Sequence, residues 1–151
     1  DPITLGHLDI LSRAAACFDK VYMCVMVNCD KKQPMFSQEK RLELIRKSIA
    51  HLPNVEAELF SGLLADYARA KQAHIIVKGV RNVADFESEA QMARINQGID
   101  PQLETLLLPA DPADVYLSST VAREMIHYHQ PLEKYLPKAI LPLIRDWTEK
   151  R

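Results

Sequence analysis

At 151 residues, 48% hydrophobic and 26% charged, the chain is sized for one domain, residues 1–151, with a core that buries roughly 70% of its unfolded surface. A formal net charge of −1 argues against a nucleic-acid protein held by a general basic field. The longest unbroken apolar run, Val21–Val27, is too short to span a membrane, and no signal-peptide pattern is present. The three cysteines, Cys17, Cys24 and Cys29, form no C-x-x-C pair and read as reduced thiols of a cytoplasmic protein.

Thr4 reads as the N-cap of a first helix, with Ile3 and Leu8 placed as a hydrophobic staple around it. Gly6 and His7 then lie in the first turn, where unpaired N–H groups and a partial positive charge favour phosphate. Leu8, Leu11, Ala15 and Phe18 give this helix an inner stripe. The run Val21–Val27 suits a strand covered on both faces, as in a parallel sheet, and Lys31 and Lys32 follow its carboxyl end. Ser37 caps a helix with Leu42, Ile45 and Ile49 inside, and Val55, Ala57 and Leu59 alternate as in a half-buried strand. Ser61-Gly62 opens a third helix through Leu64, Tyr67 and Ala68.

The next strand is His74–Val77, with Lys78-Gly79-Val80-Arg81 just after it. A helix follows, acidic at its start (Asp85, Glu87, Glu89) and stopped near Gly98; the acids suit a helix first turn. Thr105–Leu108 reads as the last strand, and Ser119 as the cap of a helix carrying Arg123 and Glu124. A final helix begins near Pro137, kinked or delayed by Pro142. The alternation calls for an α/β fold, a doubly wound and mostly parallel sheet of Rossmann-like type. A βαβ array places a strand before its first helix, so a strand is expected ahead of Asp1.

In open parallel sheets, ligands bind beyond the carboxyl ends of strands and beside helix N-termini. Thr4–His7, Lys31-Lys32, Lys78–Arg81 and Ser118–Thr120 share that address. They combine one histidine, several cations, two glycines and several hydroxyls, a set suited to a polyanion such as a nucleoside triphosphate. Neither G-x-x-x-x-G-K-[ST] nor G-x-G-x-x-G is present. His127 and His129 stand two apart on a helix, on different sides, and no metal-ligand set is read from them.

D-P-I-T-x-G-H at 1–7, K-K-x-P-M-F at 31–36, K-G-V-R-N-x-x-D-F-E-x-E at 78–89 and Y-L-S-S-T-x-x-R-E at 116–124 follow in order along almost the whole chain. In these motifs the chain resembles the bacterial phosphopantetheine adenylyltransferases. T-x-G-H alone would mark only the nucleotidylyltransferase superfamily; the second and third motifs are more specific.

The resemblance implies transfer of the adenylyl group of ATP to 4′-phosphopantetheine, giving dephospho-coenzyme A and pyrophosphate, with Mg2+ as cofactor and a homohexamer as the assembly. It makes His7 and Lys31 the catalytic residues. It places ATP on His7, Gly79, Val80, Arg81 and Glu89, and on Asp114, Val115, Tyr116, Leu117, Ser118, Ser119 and Thr120. It places the acceptor on Lys31, Leu64 and Lys78. Two positions depart from the family pattern: Lys78 stands where an arginine is common, and Gln33 is inserted before Pro-Met-Phe. Two other readings share T-x-G-H or the nucleotide address: a different small-molecule nucleotidylyltransferase, such as one using nicotinate mononucleotide, and a non-catalytic nucleotide-binding module.

Overall fold

Thr4 opens the first helix, α1 (Leu5–Cys17), through a reciprocal cap. Its side-chain oxygen accepts the His7 backbone N–H, and the His7 ring accepts the Thr4 backbone N–H. The computed structural model describes residues 1–27 and 34–149. From α1 the chain alternates through β1 (Val21–Met26), α2 (Gln38–Ser48), β2 (Val55–Phe60), α3 (Leu64–Ala70), β3 (Ile75–Val80), α4 (Val83–Ile99), β4 (Glu104–Pro109) and α5 (Ser119–His127). A 3-10 turn at Lys138–Ile140 leads into α6 (Leu141–Glu149), with Pro142 in its first turn, where a missing N–H costs nothing.

The strands pair only in parallel, β1 with β2 and β3 with β4. This is the expected parallel α/β architecture, arranged as two two-stranded sheets. Val21 donates to the Asn54 carbonyl and Val27 to the Phe60 carbonyl, so the odd-numbered residues of β1 turn their backbone groups to β2. Tyr22, Cys24 and Met26 therefore turn theirs away. By the same alternation Ile75, Val77 and Gly79 of β3 turn away from β4, since the His74 and Val80 carbonyls accept from Glu104 and Ala110. All six residues line one cavity of about 860 Å³ between the two pairs. Helix α1 packs on both β1 and β3 and so ties the two pairs into one scaffold.

The larger core joins α1, β1, β2, α2, α5 and α6. Leu44, Leu136, Ile140 and Ile144 are fully buried there, each stabilising the fold by roughly 2 kcal/mol. A smaller cluster joins Ala65 and Ala68 of α3 to Ile76 of β3 and to Leu103 just before β4. Among the described residues no helix is long and apolar enough to cross a membrane.

Several details differ from the sequence reading. Helix α3 starts after Leu63 without a side-chain cap, because Gly62 turns the chain there at φ 135°. Helix α4 runs through Gly98 to Ile99, with Asp100 as its C-cap. The glycine stays helical, and a Cβ there would meet nothing within 4 Å. Ser118, not Ser119, caps α5 by accepting the Val121 N–H, which leaves the Ser119 hydroxyl free to donate to the Pro2 carbonyl at 3.0 Å. Cys17 is exposed and Cys24 half-buried, both as free thiols.

Candidate active site

Three stretches meet at one end of the cavity: the start of α1, the end of β3 with the first turns of α4, and the segment entering α5. Helix α1 delivers His7. The His7 Nδ1 accepts the Thr4 N–H at 3.1 Å and lies 2.7 Å from the Thr4 hydroxyl. A ring nitrogen that accepts a backbone N–H carries no proton, so neutral His7 holds its proton on Nε2, where it is a donor. The surrounding protein desolvates the ring, and the positive charges of the amino terminus at Asp1 and of Arg81 add to this, together lowering its pKa to about 4. His7 is nonetheless an exposed residue that opens onto the cavity, which tempers the desolvation. The bonds to Thr4 favour the same neutral state independently.

Strand β3 runs on through Val80, so Lys78 and Gly79 lie within it rather than after it. The Lys78 Nζ stands 3.3 Å from the Glu89 carboxylate of α4. A Cβ at Gly79 would lie 2.8 Å from Ile10 Cγ1, so this glycine is required for the close approach of α1 to β3. Its room is taken by Ile10 rather than left for a ligand, although its backbone still borders the cavity.

Arg81 is the most highly connected cation of the site. Its Nε donates to Asp85 Oδ2 at 2.8 Å, its Nη2 to Asp85 Oδ1 at 3.2 Å, and its Nη1 to the Leu117 carbonyl at 3.0 Å. Asp85 also accepts the Arg81 backbone N–H at 3.1 Å. The guanidinium holds the Asp85 carboxyl below its ordinary pKa, and the carboxylate raises that of Arg81 in turn.

In the segment entering α5, Asp114 and Leu117–Thr120 line the cavity, whereas Val115 and Tyr116 are exposed and stand outside its lining. Burial, together with the nearby Asp111 and Asp9 charges, raises the Asp114 carboxyl above its ordinary pKa. Thr120 Oγ1 accepts from Arg123, which also donates to the Asp1 carbonyl at 3.2 Å.

The structure thus brings His7, Leu64, Lys78, Gly79, Arg81, Glu89, Asp114, Leu117, Ser118, Ser119 and Thr120 to one cavity, and leaves Val80, Val115 and Tyr116 off its wall. Lys31, with Lys32 and Gln33, lies outside the described residues. Sequence reasoning treated Asp85 as an ordinary helix-start acid and missed its grip on Arg81. The four-residue spacing between them was the available signal. Among the described residues no group of three or more histidine, cysteine or acidic side chains could hold a metal ion. Chemically, the site offers a neutral imidazole donor, two cations and the N-termini of α1 and α5, which suits stabilisation of phosphate charge.

The profile of the cytidylyltransferase-like proteins matches residues 1–125. The phosphopantetheine adenylyltransferase of Shouchella clausii is 42% identical over 146 residues, covering 97% of this chain and 91% of the relative. The protein of the same name from Nautilia profundicola is 43% identical over 141 residues, covering 93% and 91%. That from Synechococcus elongatus is 43% identical over 146 residues, covering 97% and 87%.

Proposed function

This chain belongs to the cytidylyltransferase-like family, and we infer that it transfers the adenylyl group of ATP to 4′-phosphopantetheine, giving dephospho-coenzyme A and pyrophosphate. One observation carries this reading. Identity of 42% to a phosphopantetheine adenylyltransferase spans 97% of the chain, and so takes in every element that builds the site.

The acceptor's phosphate is already anionic and needs no strong base to attack the α-phosphorus of ATP. The protein's task is then positioning and charge stabilisation. His7 donates from Nε2 to the α-phosphoryl oxygens as charge shifts toward the leaving pyrophosphate. Lys31 contacts both the attacking phosphate and the phosphate under attack. Lys78 and Leu64 hold the acceptor. Gly79, Arg81, Glu89, Asp114 and the segment Leu117–Thr120 hold ATP. Lys78 and Glu89, assigned to different substrates, form an ion pair, so the two subsites adjoin.

Membership of a nucleotidyltransferase family implies a divalent cation, and Mg2+ is the reading here. Mg2+ keeps several waters and is usually held by substrate phosphates with one or two carboxylates. The residues present fit that demand: Asp114 is a cavity-lining carboxylate, its pKa raised first by burial and then by the neighbouring Asp111 and Asp9 charges. The cation would neutralise phosphate charge, while Asp114 orients it.

The chain is read as one domain, working in the cytoplasm as a homohexamer. Support for assembly comes from α4, whose Phe86, Met92, Ile95 and Ile99 are exposed apolar side chains on an otherwise solvated helix.

The test is pyrophosphate release from ATP with a panel of phosphorylated acceptors. Release is expected with 4′-phosphopantetheine. Release with nicotinate mononucleotide instead overturns the acceptor assignment, and ATP binding without release on any acceptor overturns the activity.

A further inference from the structure

We propose that Asp85 is a positioning residue of the nucleotide subsite, orienting the Arg81 guanidinium toward the phosphates of ATP. The proposal rests on the reading of Arg81 as an ATP ligand. A guanidinium has five N–H donors in one plane. Asp85 takes the Nε proton and one Nη2 proton side by side, and the Leu117 carbonyl takes one Nη1 proton. Among the described residues that leaves one N–H on each terminal nitrogen without a partner, on a side chain that lines the cavity. Two neighbouring N–H groups match two oxygens of a phosphate.

Without the carboxylate, the same side chain would swing on its flexible stem, and its plane would be fixed at one nitrogen only. Asp85 itself is held from behind, because its backbone N–H donates to Asn82, the cap of α4, at 2.9 Å. The clamp has a second consequence. By bonding the Leu117 carbonyl, Arg81 joins the end of β3 to the residue before the α5 cap, so one side chain sets the distance between two ATP-binding segments.

Asp85 also sits in a helix first turn, where any acid contributes some helix stability. A purely structural role would lower the unfolding temperature and weaken both substrates alike, and the experiment separates the two. Asp85→Asn, Arg81→Ala and the double variant are compared for ATP affinity by calorimetry and for the KM of each substrate by pyrophosphate release. Asp85→Asn is expected to weaken ATP binding about tenfold. It should leave the KM for 4′-phosphopantetheine within about twofold and add nothing once Arg81 is alanine. Penalties that multiply in the double variant overturn the proposal. So does an equal loss for both substrates, or an Arg81→Ala variant that binds ATP as wild type does. Calorimetry reads ATP without turnover, so a wild type that binds ATP but releases no pyrophosphate sinks the acceptor assignment and leaves this test intact. If Asp85→Asn does not fold, Asp85→Glu replaces it in the same cycle, with the same outcomes deciding.

Discussion

Replacing His7 with alanine is expected to lower kcat by about a hundredfold or more, on the order of 3 kcal/mol, the usual loss on removing one transition-state donor. ATP affinity should change far less, because the Nε2 proton matters most as charge moves onto the phosphoryl oxygens. The pH dependence tests the protonation state. With its pKa lowered to about 4, His7 stays neutral at any pH well above that value. Its contribution, read as the ratio of wild-type kcat to that of His7→Ala, should be flat from about pH 6 to pH 8. It should fall only on the acid side, where a proton on Nδ1 would displace the Thr4 N–H and break the helix cap. A ratio that instead falls as pH rises through about 6.5 means the ring works as imidazolium, and overturns the neutral-donor assignment. Unchanged kcat with much weaker ATP binding would reassign His7 to simple binding.

How much of this was legible in the sequence follows from how local each cause is. The Thr4 cap of α1 could be read, since it and the His7 N–H it accepts are neighbours, whereas the return bond from the Thr4 N–H to the His7 ring was not. The four strands and their parallel pairing were likewise expected from apolar runs alternating with helices. Division into two pairs was not, because strand neighbours are chosen by contacts far apart in the chain. The end of β3 failed for a similar reason. A glycine beside Lys78 suggests a turn, yet Gly79 serves the packing of Ile10 from a helix remote in sequence. Ser118 and Ser119 are equally good caps on paper. The neighbouring serine was free to serve as donor to Pro2, a partner no local pattern shows. Within the site, chemistry by residue type was visible, whereas the bonds among those residues were not. Lys78 with Glu89, and Arg81 with Leu117, join segments that only the fold brings together.

Lys78 carries the second large effect. It stands on β3 at the cavity that Leu64 also lines, with the Glu89 carboxylate 3.3 Å from its ammonium. Lys78→Ala removes the charge that meets the acceptor phosphate and leaves Glu89 uncompensated, so a carboxylate then faces an incoming dianion. A lost charge-assisted bond is worth about 1.5–3 kcal/mol. The KM for 4′-phosphopantetheine should therefore rise between about tenfold and a hundredfold, with a smaller effect on ATP. Lys78→Arg keeps the charge and can still pair with Glu89, so activity should stay within about tenfold. The decisive comparison is calorimetry with the acceptor and with its dephosphorylated form, on wild type and on Lys78→Ala. In wild type the phosphate should add most of the affinity; in the variant that advantage should largely vanish, leaving the two ligands nearly equal. If Lys78→Ala weakens both ligands by the same factor, Lys78 does not read the phosphate, and its ion pair with Glu89 serves only to hold β3 to α4.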